Sequence, residues 1–229
     1  MAVALIMFRD RTEAGMKLAA KVAAADLRDP VVLALPRGGV PVAFEVAKAL
    51  GAPLDLVIVR KVGAPGNPEL AAASIVDGDP PDVVLNTEVI EACALDDDEL
   101  RVMVAREEPE LERRRRVYRA GRQPLSVAGR TVVLVDDGAA TGTTMKAAVR
   151  AMRRRSPASI IVALPVASPE AVVELSRLAD RVVCIEQPPH FQALGYHYRD
   201  FHQLRDEEVL DCLARAGSEV RSAAATFGR

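Results

Sequence analysis

The sequence predicts an α/β fold, an open and mainly parallel twisted sheet flanked by helices, on three observations. From Val31 onward, short aliphatic runs alternate with amphipathic segments. The runs are apolar throughout rather than at every second residue, as strands become when helical crossovers cover both faces of a parallel sheet. Half of the 229 residues are apolar, enough for one continuous core, so residues 1–229 are expected to form a single domain.

Each element has its own signal. MAVALIM, residues 1–7, is too short an apolar run for a secretory signal and lacks a basic start, so it reads as a first strand. VVLAL at 31–35 is the next strand, and VPVAFEVAKAL is a helix stopped by Gly51. LDLVIV, residues 54–59, is again a strand. The alternation then breaks over about 61–97. There the loop GAPGNPEL, a short strand AAASIV, the turn DGDPPD and the run VVLN suggest a hairpin-like excursion from the sheet.

Residues 96–119 form a charged helix with acids first and arginines last, the order the helix dipole favours, and Pro109 is expected to interrupt it. Its arginines at 113–116 either bind a polyanion or pair with Glu107, Glu108, Glu110 and Glu112. The arginines at 153–155 pose the same alternatives. TVVLV precedes the helix TTMKAAVRAMRRR, and SIIVALPV is followed by Ser168 as an N-cap before Pro169 and Glu170. RVVCIE completes the sheet. A second break, 187–205, holds Phe191, Tyr196, Tyr198 and Phe201, half of the eight phenylalanines and tyrosines, with all three histidines.

Composition excludes several functions. Thirty basic against 32 acidic residues leave a formal charge of -2, so no global field recruits nucleic acid or an anionic membrane, and any anion binding is local. No run approaches the roughly 18 to 20 apolar residues that span a bilayer. Cys93, Cys184 and Cys212 are too scattered for a disulfide framework or a metal site, which suggests a reduced, cytoplasmic protein. His190, His197 and His202 are too loosely spaced to argue for a metal.

The chemistry concentrates in VVLVDDGAATGTT, residues 132–144. Ligands of open parallel sheets bind at the carboxyl ends of strands, where Asp136 and Asp137 stand. Gly138, Ala139, Ala140, Thr141 and Gly142 are small enough for backbone amides to approach an anion, and Thr143 and Thr144 open a helix whose positive end favours phosphate. The loop lacks the lysine of a nucleoside-triphosphate cradle and the glycine pattern of a dinucleotide one. Adjacent acids would repel phosphate unless they contact hydroxyl groups or a metal. A ribose 5-phosphate offers phosphate and a cis-diol at about that span.

These residues resemble the phosphoribosyl-pyrophosphate signature of type I phosphoribosyltransferases. Two further motifs agree in order: LPRGG at 35–39 resembles the family's pyrophosphate loop, and RKVGAPGNPEL at 60–70 the start of its mobile lid. FRDRTEAGMKLA at 8–19 is similar to the opening of a poorly characterised phosphoribosyltransferase-like group. The resemblance implies the type I phosphoribosyltransferase fold, with the excursion at 61–97 as lid and 187–205 as hood. It implies that Asp136 and Asp137 hold ribose hydroxyls while residues 138–144 hold the 5-phosphate. Arg37, Gly38 and Gly39 would face pyrophosphate across a cis Pro36–Arg37 peptide.

The resemblance further implies a catalytic set of Asp136, Asp137, Arg37 and Lys61, assisted by Arg60. Magnesium (Mg2+) is the implied cofactor, held mainly through the substrate and through Asp136 or Asp137. Arg60 and Lys61 otherwise read as a solvated pair at a strand end. Phe191 or Tyr198 would stack on a planar acceptor, or these rings pack the hood. The implied reaction transfers a phosphoribosyl group from 5-phosphoribosyl 1-pyrophosphate to a nitrogenous base, releasing pyrophosphate; the alternative is a regulator of the same fold that senses that compound or a nucleotide. A homodimer is the family default.

One departure narrows the acceptor. Where 6-oxopurine enzymes carry a loop carboxylate this chain has Ala140, and where they carry a base-reading lysine it has Val166, Ala167 and Ser168. Alanine at that loop position suits other branches, adenine-type enzymes included.

Overall fold

The computed structural model describes residues 7–227. Of the strand expected over residues 1–7, residues 1–6 lie outside the described residues and Met7 is not in a strand, while Phe8 bridges Tyr198. In chain order the elements are α1 (Arg11–Ala23), β1 (Pro30–Ala34), α2 (Gly39–Leu50), β2 (Leu54–Leu56), β3 (Val59–Ala64), β4 (Asn67–Val76) and β5 (Asp82–Leu85). There follow α3 (Thr87–Ala92), α4 (Asp97–Arg119), β6 (Thr131–Val135), α5 (Thr143–Arg154), β7 (Ser159–Val166), α6 (Pro169–Ser176), β8 (Arg181–Glu186) and α7 (Asp206–Phe227).

Among the described residues the strands form two sheets. The first is parallel throughout, in the order β2-β1-β6-β7-β8. Strand β6 is buried from end to end and β7 from Ile160 onward, which is why they read as unbroken aliphatic runs. Helices α1, α2 and α7 cover one face, burying Leu18, Val22, Val42 and Leu213 with Val133 and Val135. Helices α5 and α6 cover the other, where Met145, Val149 and Leu175 pack on Val132 and Leu134. Gly51 closes α2 in a left-handed turn, and Ser168 caps α6 by accepting from the Ala171 amide.

The second sheet is antiparallel, in the order β3-β4-β5. Two expectations change here. LDLVIV is not one strand: Leu54 to Leu56 pair with β1, while Val59 opens β3 in the other sheet. The run is apolar across the crossing because Val57 and Ile58 are also buried, so periodicity offers no sign of the break. GAPGNPEL is mostly strand rather than loop, since β4 begins at Asn67 and only Pro65 and Gly66 turn the hairpin.

Pro109 does not interrupt α4, which runs unbroken from its Asp96–Glu99 capping box to a left-handed Ala120. Proline removes one helical bond and crowds the preceding turn. Pro109 and Ala105 are both exposed, so the freed carbonyl meets water, while Leu100, Leu111 and Tyr118 anchor the helix on either side. The helix arginines pair locally, Arg113 and Arg114 with Glu110 and Arg115 with Glu112. Arg153 and Arg154 likewise reach Asp180 and Asp82.

Candidate active site

Two loops at the carboxyl end of the parallel sheet meet at the acidic pair. The Leu35 amide bonds the Val135 carbonyl at 2.9 Å, bringing the ends of β1 and β6 level. The chain then turns through a cis Pro36–Arg37 peptide into α2. A Cβ on Gly38 would stand 2.1 Å from Asp137 Oδ2, and one on Gly39 would stand 2.6 Å from the Val135 carbonyl. Glycine is therefore required at both positions for packing on the acids, whatever else the loop binds.

Asp136 and Asp137 follow β6, and the Asp137 amide donates to Asp136 Oδ1 at 2.9 Å. Asp137 is buried. Arg11, at the start of α1, donates from Nε to Asp137 Oδ2 at 2.8 Å, and both side chains are only 9% exposed. The same guanidinium donates to the His202 carbonyl at 3.0 Å and lies 4.0 Å over the Phe201 ring. Tyr198 completes the support by donating its hydroxyl to the Asp137 carbonyl at 2.5 Å. Burial and then the neighbouring Asp137 charge push the Asp136 carboxyl well above the usual range. Burial also raises Asp137, against the pull of Arg11.

Residues 138–144 are held from behind. The Ala139 amide bonds the Val166 carbonyl and the Ser168 amide the Ala139 carbonyl, while Ser168 Oγ donates to the Ala140 carbonyl at 2.7 Å. With Ser168 also capping α6, β7 and α6 fix the loop. Gly142 takes φ of 65° to enter α5, and Thr141 and Thr143 share a hydrogen bond at 3.0 Å. Ala140, Thr141 and Thr144 are exposed, leaving this rim and the first turn of α5 open to a ligand.

The other expected residues divide. Arg37 is half-buried and lies 3.9 Å from Asp206, which also accepts the Tyr118 hydroxyl at 2.5 Å. Arg60 and Lys61 belong to the second sheet, where Arg60 is paired with Glu107 of α4 at 2.5 Å. Phe191, half-buried, stacks on His197 and lines a cavity of about 670 Å³ with Ala140, Thr141, Ser168 and Glu170. Tyr198 is elsewhere: it is 4% exposed and packs against Phe8 and Phe201, leaving its ring no free face for an acceptor. Sequence reasoning missed Arg11. Its one available signal was its place in FRDR before a helix, and its partner lies 126 residues away.

Comparison with known proteins agrees with this architecture. The phosphoribosyl transferase domain family matches residues 9–199. Two Mycobacterium tuberculosis proteins provisionally named phosphoribosyl transferases, from strains CDC 1551 / Oshkosh and ATCC 25618 / H37Rv, are each 42% identical over 219 residues. These matches cover 96% of this chain but 49% of the relatives, so the chain spans about half their length. The crystal structure of TT1426 from Thermus thermophilus superposes with a TM-score of 0.81 at 45% identity, covering 91% of this chain and 98% of that one. Sequence and backbone thus agree over nearly the whole described chain, and it belongs to the phosphoribosyl transferase domain family.

Proposed function

We propose that this chain transfers the phosphoribosyl group of 5-phosphoribosyl 1-pyrophosphate to a nitrogen of a small planar acceptor, acting as a homodimer. The observation that carries the reading is the meeting of the Gly38–Gly39 turn, the acidic pair and the open rim of residues 138–144 at one sheet edge. A sugar bearing phosphate at one end and pyrophosphate at the other has three groups to place, and three anchoring elements converge here. The first turn of α5 takes the 5-phosphate, Asp136 takes ribose hydroxyls, and Arg37 with the 36–39 turn faces pyrophosphate.

The anomeric C–O bond breaks with its electron pair leaving on pyrophosphate, the acceptor nitrogen forms the new C–N bond, and that nitrogen then gives up its proton. Positive charge develops on the ribose ring as the bond stretches, so the protein acts mainly by positioning and by electrostatics. Asp136, which unlike Asp137 makes no salt bridge with Arg11, is the carboxyl we place beside that ring. Hydroxyl donors or a cation arriving beside it offset the burial that raises its carboxyl.

Magnesium suits this donor set in a limited way. Among the described residues no cluster of three or more Asp, Glu, His or Cys could hold an ion, and Asp137 is committed to Arg11. Asp136 is then the carboxylate for a hard cation that takes its remaining ligands from substrate and water, and when bound such an ion neutralises the leaving pyrophosphate.

The test incubates the protein with phosphoribosyl pyrophosphate, magnesium and a panel of bases while pyrophosphate release is followed. Turnover with one base, lost on Asp136→Asn, is expected. Sedimentation at equilibrium reads the dimer. Binding without any turnover would instead uphold the sensing alternative, which one observation favours: Asp137 and Arg37 both already have protein partners.

A further inference from the structure

A second cavity, of about 310 Å³, lies between the antiparallel sheet and helices α5 and α6. Lys146 and Arg150 of α5 line it, one helical turn apart, with Arg177 beyond α6 and the hydroxyl residues Ser74 and Thr87 opposite. Ala71, Ala73 and Ala147 leave the space between them open. Its charges are unbalanced. Lys146 is paired with Glu174, and the other lining acid is the exposed Glu88. Among the described residues neither the Arg150 nor the Arg177 side chain has a hydrogen-bond or ion-pair partner, although Arg177 is near enough for its charge to act on Glu174.

We propose that this cavity, which Thr143 also lines, is a second anion site for a phosphate-bearing small molecule, separate from the exposed rim of Ala140, Thr141 and Thr144. Two arginines with no hydrogen-bonded or ion-paired partner among the described residues line one concave space, and a phosphate dianion would supply the charge they lack. The planar fork of arginine matches phosphate oxygens two at a time, and the volume is that of a small-ligand site. Ser74 and Thr87 add hydroxyl donors. The site is also wired to the first one, because Lys146 and Glu174 line the cavity beneath Phe191 as well. An anion held by Arg150 competes with Glu174 for Lys146, so filling one cavity changes the charge facing the other. This coupling rests on the proposed sugar-phosphate site, whose Ala140 and Thr141 also line the Phe191 cavity; the anion site itself does not.

Equilibrium dialysis of the full chain with radiolabelled inorganic phosphate at low ionic strength tests the proposal. Arg150→Gln with Arg177→Gln should weaken one bound equivalent about tenfold or more, the loss of charge-assisted contacts. Both side chains are exposed, so the melting temperature should hold. Glu174→Gln, which frees Lys146, should tighten the same equivalent several-fold. Thr141→Ala with Thr144→Ala should weaken a different equivalent and leave this one, separating failure of this site from failure of the sugar-phosphate reading. Phosphate binding unchanged in the double arginine variant overturns the inference, as does an absence of change in Glu174→Gln. Competition by a nucleoside monophosphate distinguishes the source: displacement at lower concentration than phosphate indicates an ester, equal concentrations free phosphate, and either upholds the anion site.

Discussion

Arg11 shows at the scale of one residue how the acidic pair is tolerated inside the protein. A carboxylate as buried as Asp137 needs a partner, and removing one member of such a pair leaves an uncompensated charge costing about 3 to 5 kcal/mol. Arg11→Met is therefore expected to lower stability by about 3 kcal/mol in urea unfolding, with much of the loss recovered when Asp137→Asn is added. Equal losses in the single and double variants would mean that the contact with Phe201, and not the charge pair, is what Arg11 supplies. Asp136 runs the other way. Its folded carboxyl titrates above its unfolded value, so between the two the folded state holds more protons. That contribution is fully present below the unfolded value of about 3.9 and is lost as pH rises through the folded one. Asp136→Asn should then flatten the fall in melting temperature above about pH 4 and leave the variant more stable than the parent at neutral pH. A parent no less stable than the variant at neutral pH would contradict this reading of the burial.

At the scale of elements, α4 carries a cost that its surroundings absorb. Proline inside a helix is about 3 kcal/mol less favourable than alanine, and Pro109 is exposed, so no packing is lost with its ring. Pro109→Ala should raise stability by roughly 1 to 3 kcal/mol, read as a shift in the denaturant midpoint with the slope unchanged. The same helix marks where sequence reading stops. Val132 to Val135, Gly51 and Ser168 were legible because each acts through local chemistry: an aliphatic run, a left-handed stop, a capping hydroxyl. The continuity of α4 was not, because it depends on which side of the helix meets water. The division of LDLVIV between two sheets was hidden by uniform burial. Arg11 and Tyr198 reach Asp137 only through the fold, so no spacing in the chain announces them.

At the scale of the whole molecule, the two sheets are joined by a buried ionic knot. Arg119, in the last turn of α4, donates to Asp77 at 2.7 Å, to Asp55 at 3.2 Å and to the Leu56 carbonyl at 3.2 Å. Asp77 follows β4 in the antiparallel sheet and Asp55 belongs to β2 in the parallel one. Arg115 also reaches Asp77 at 2.9 Å, and the Asp77 amide bonds the Ile58 carbonyl. The antiparallel sheet, which carries Arg60 and Lys61, is thus tied to the parallel one by this cluster as well as by the apolar packing of Val62, Ala73 and Ile75 in the shared core. Arg119→Met would leave Asp55 with only the Leu56 and Leu125 amides and Asp77 with only Arg115 as its cation, a loss of about 3 kcal/mol. Because the knot lies at the junction, the effect should be uneven in native-state hydrogen exchange: amides of β3, β4 and β5 should lose protection at denaturant concentrations where β6 and β7 keep theirs. If protection falls equally in both sheets, they unfold as one cooperative unit, and the antiparallel sheet cannot move independently as a lid.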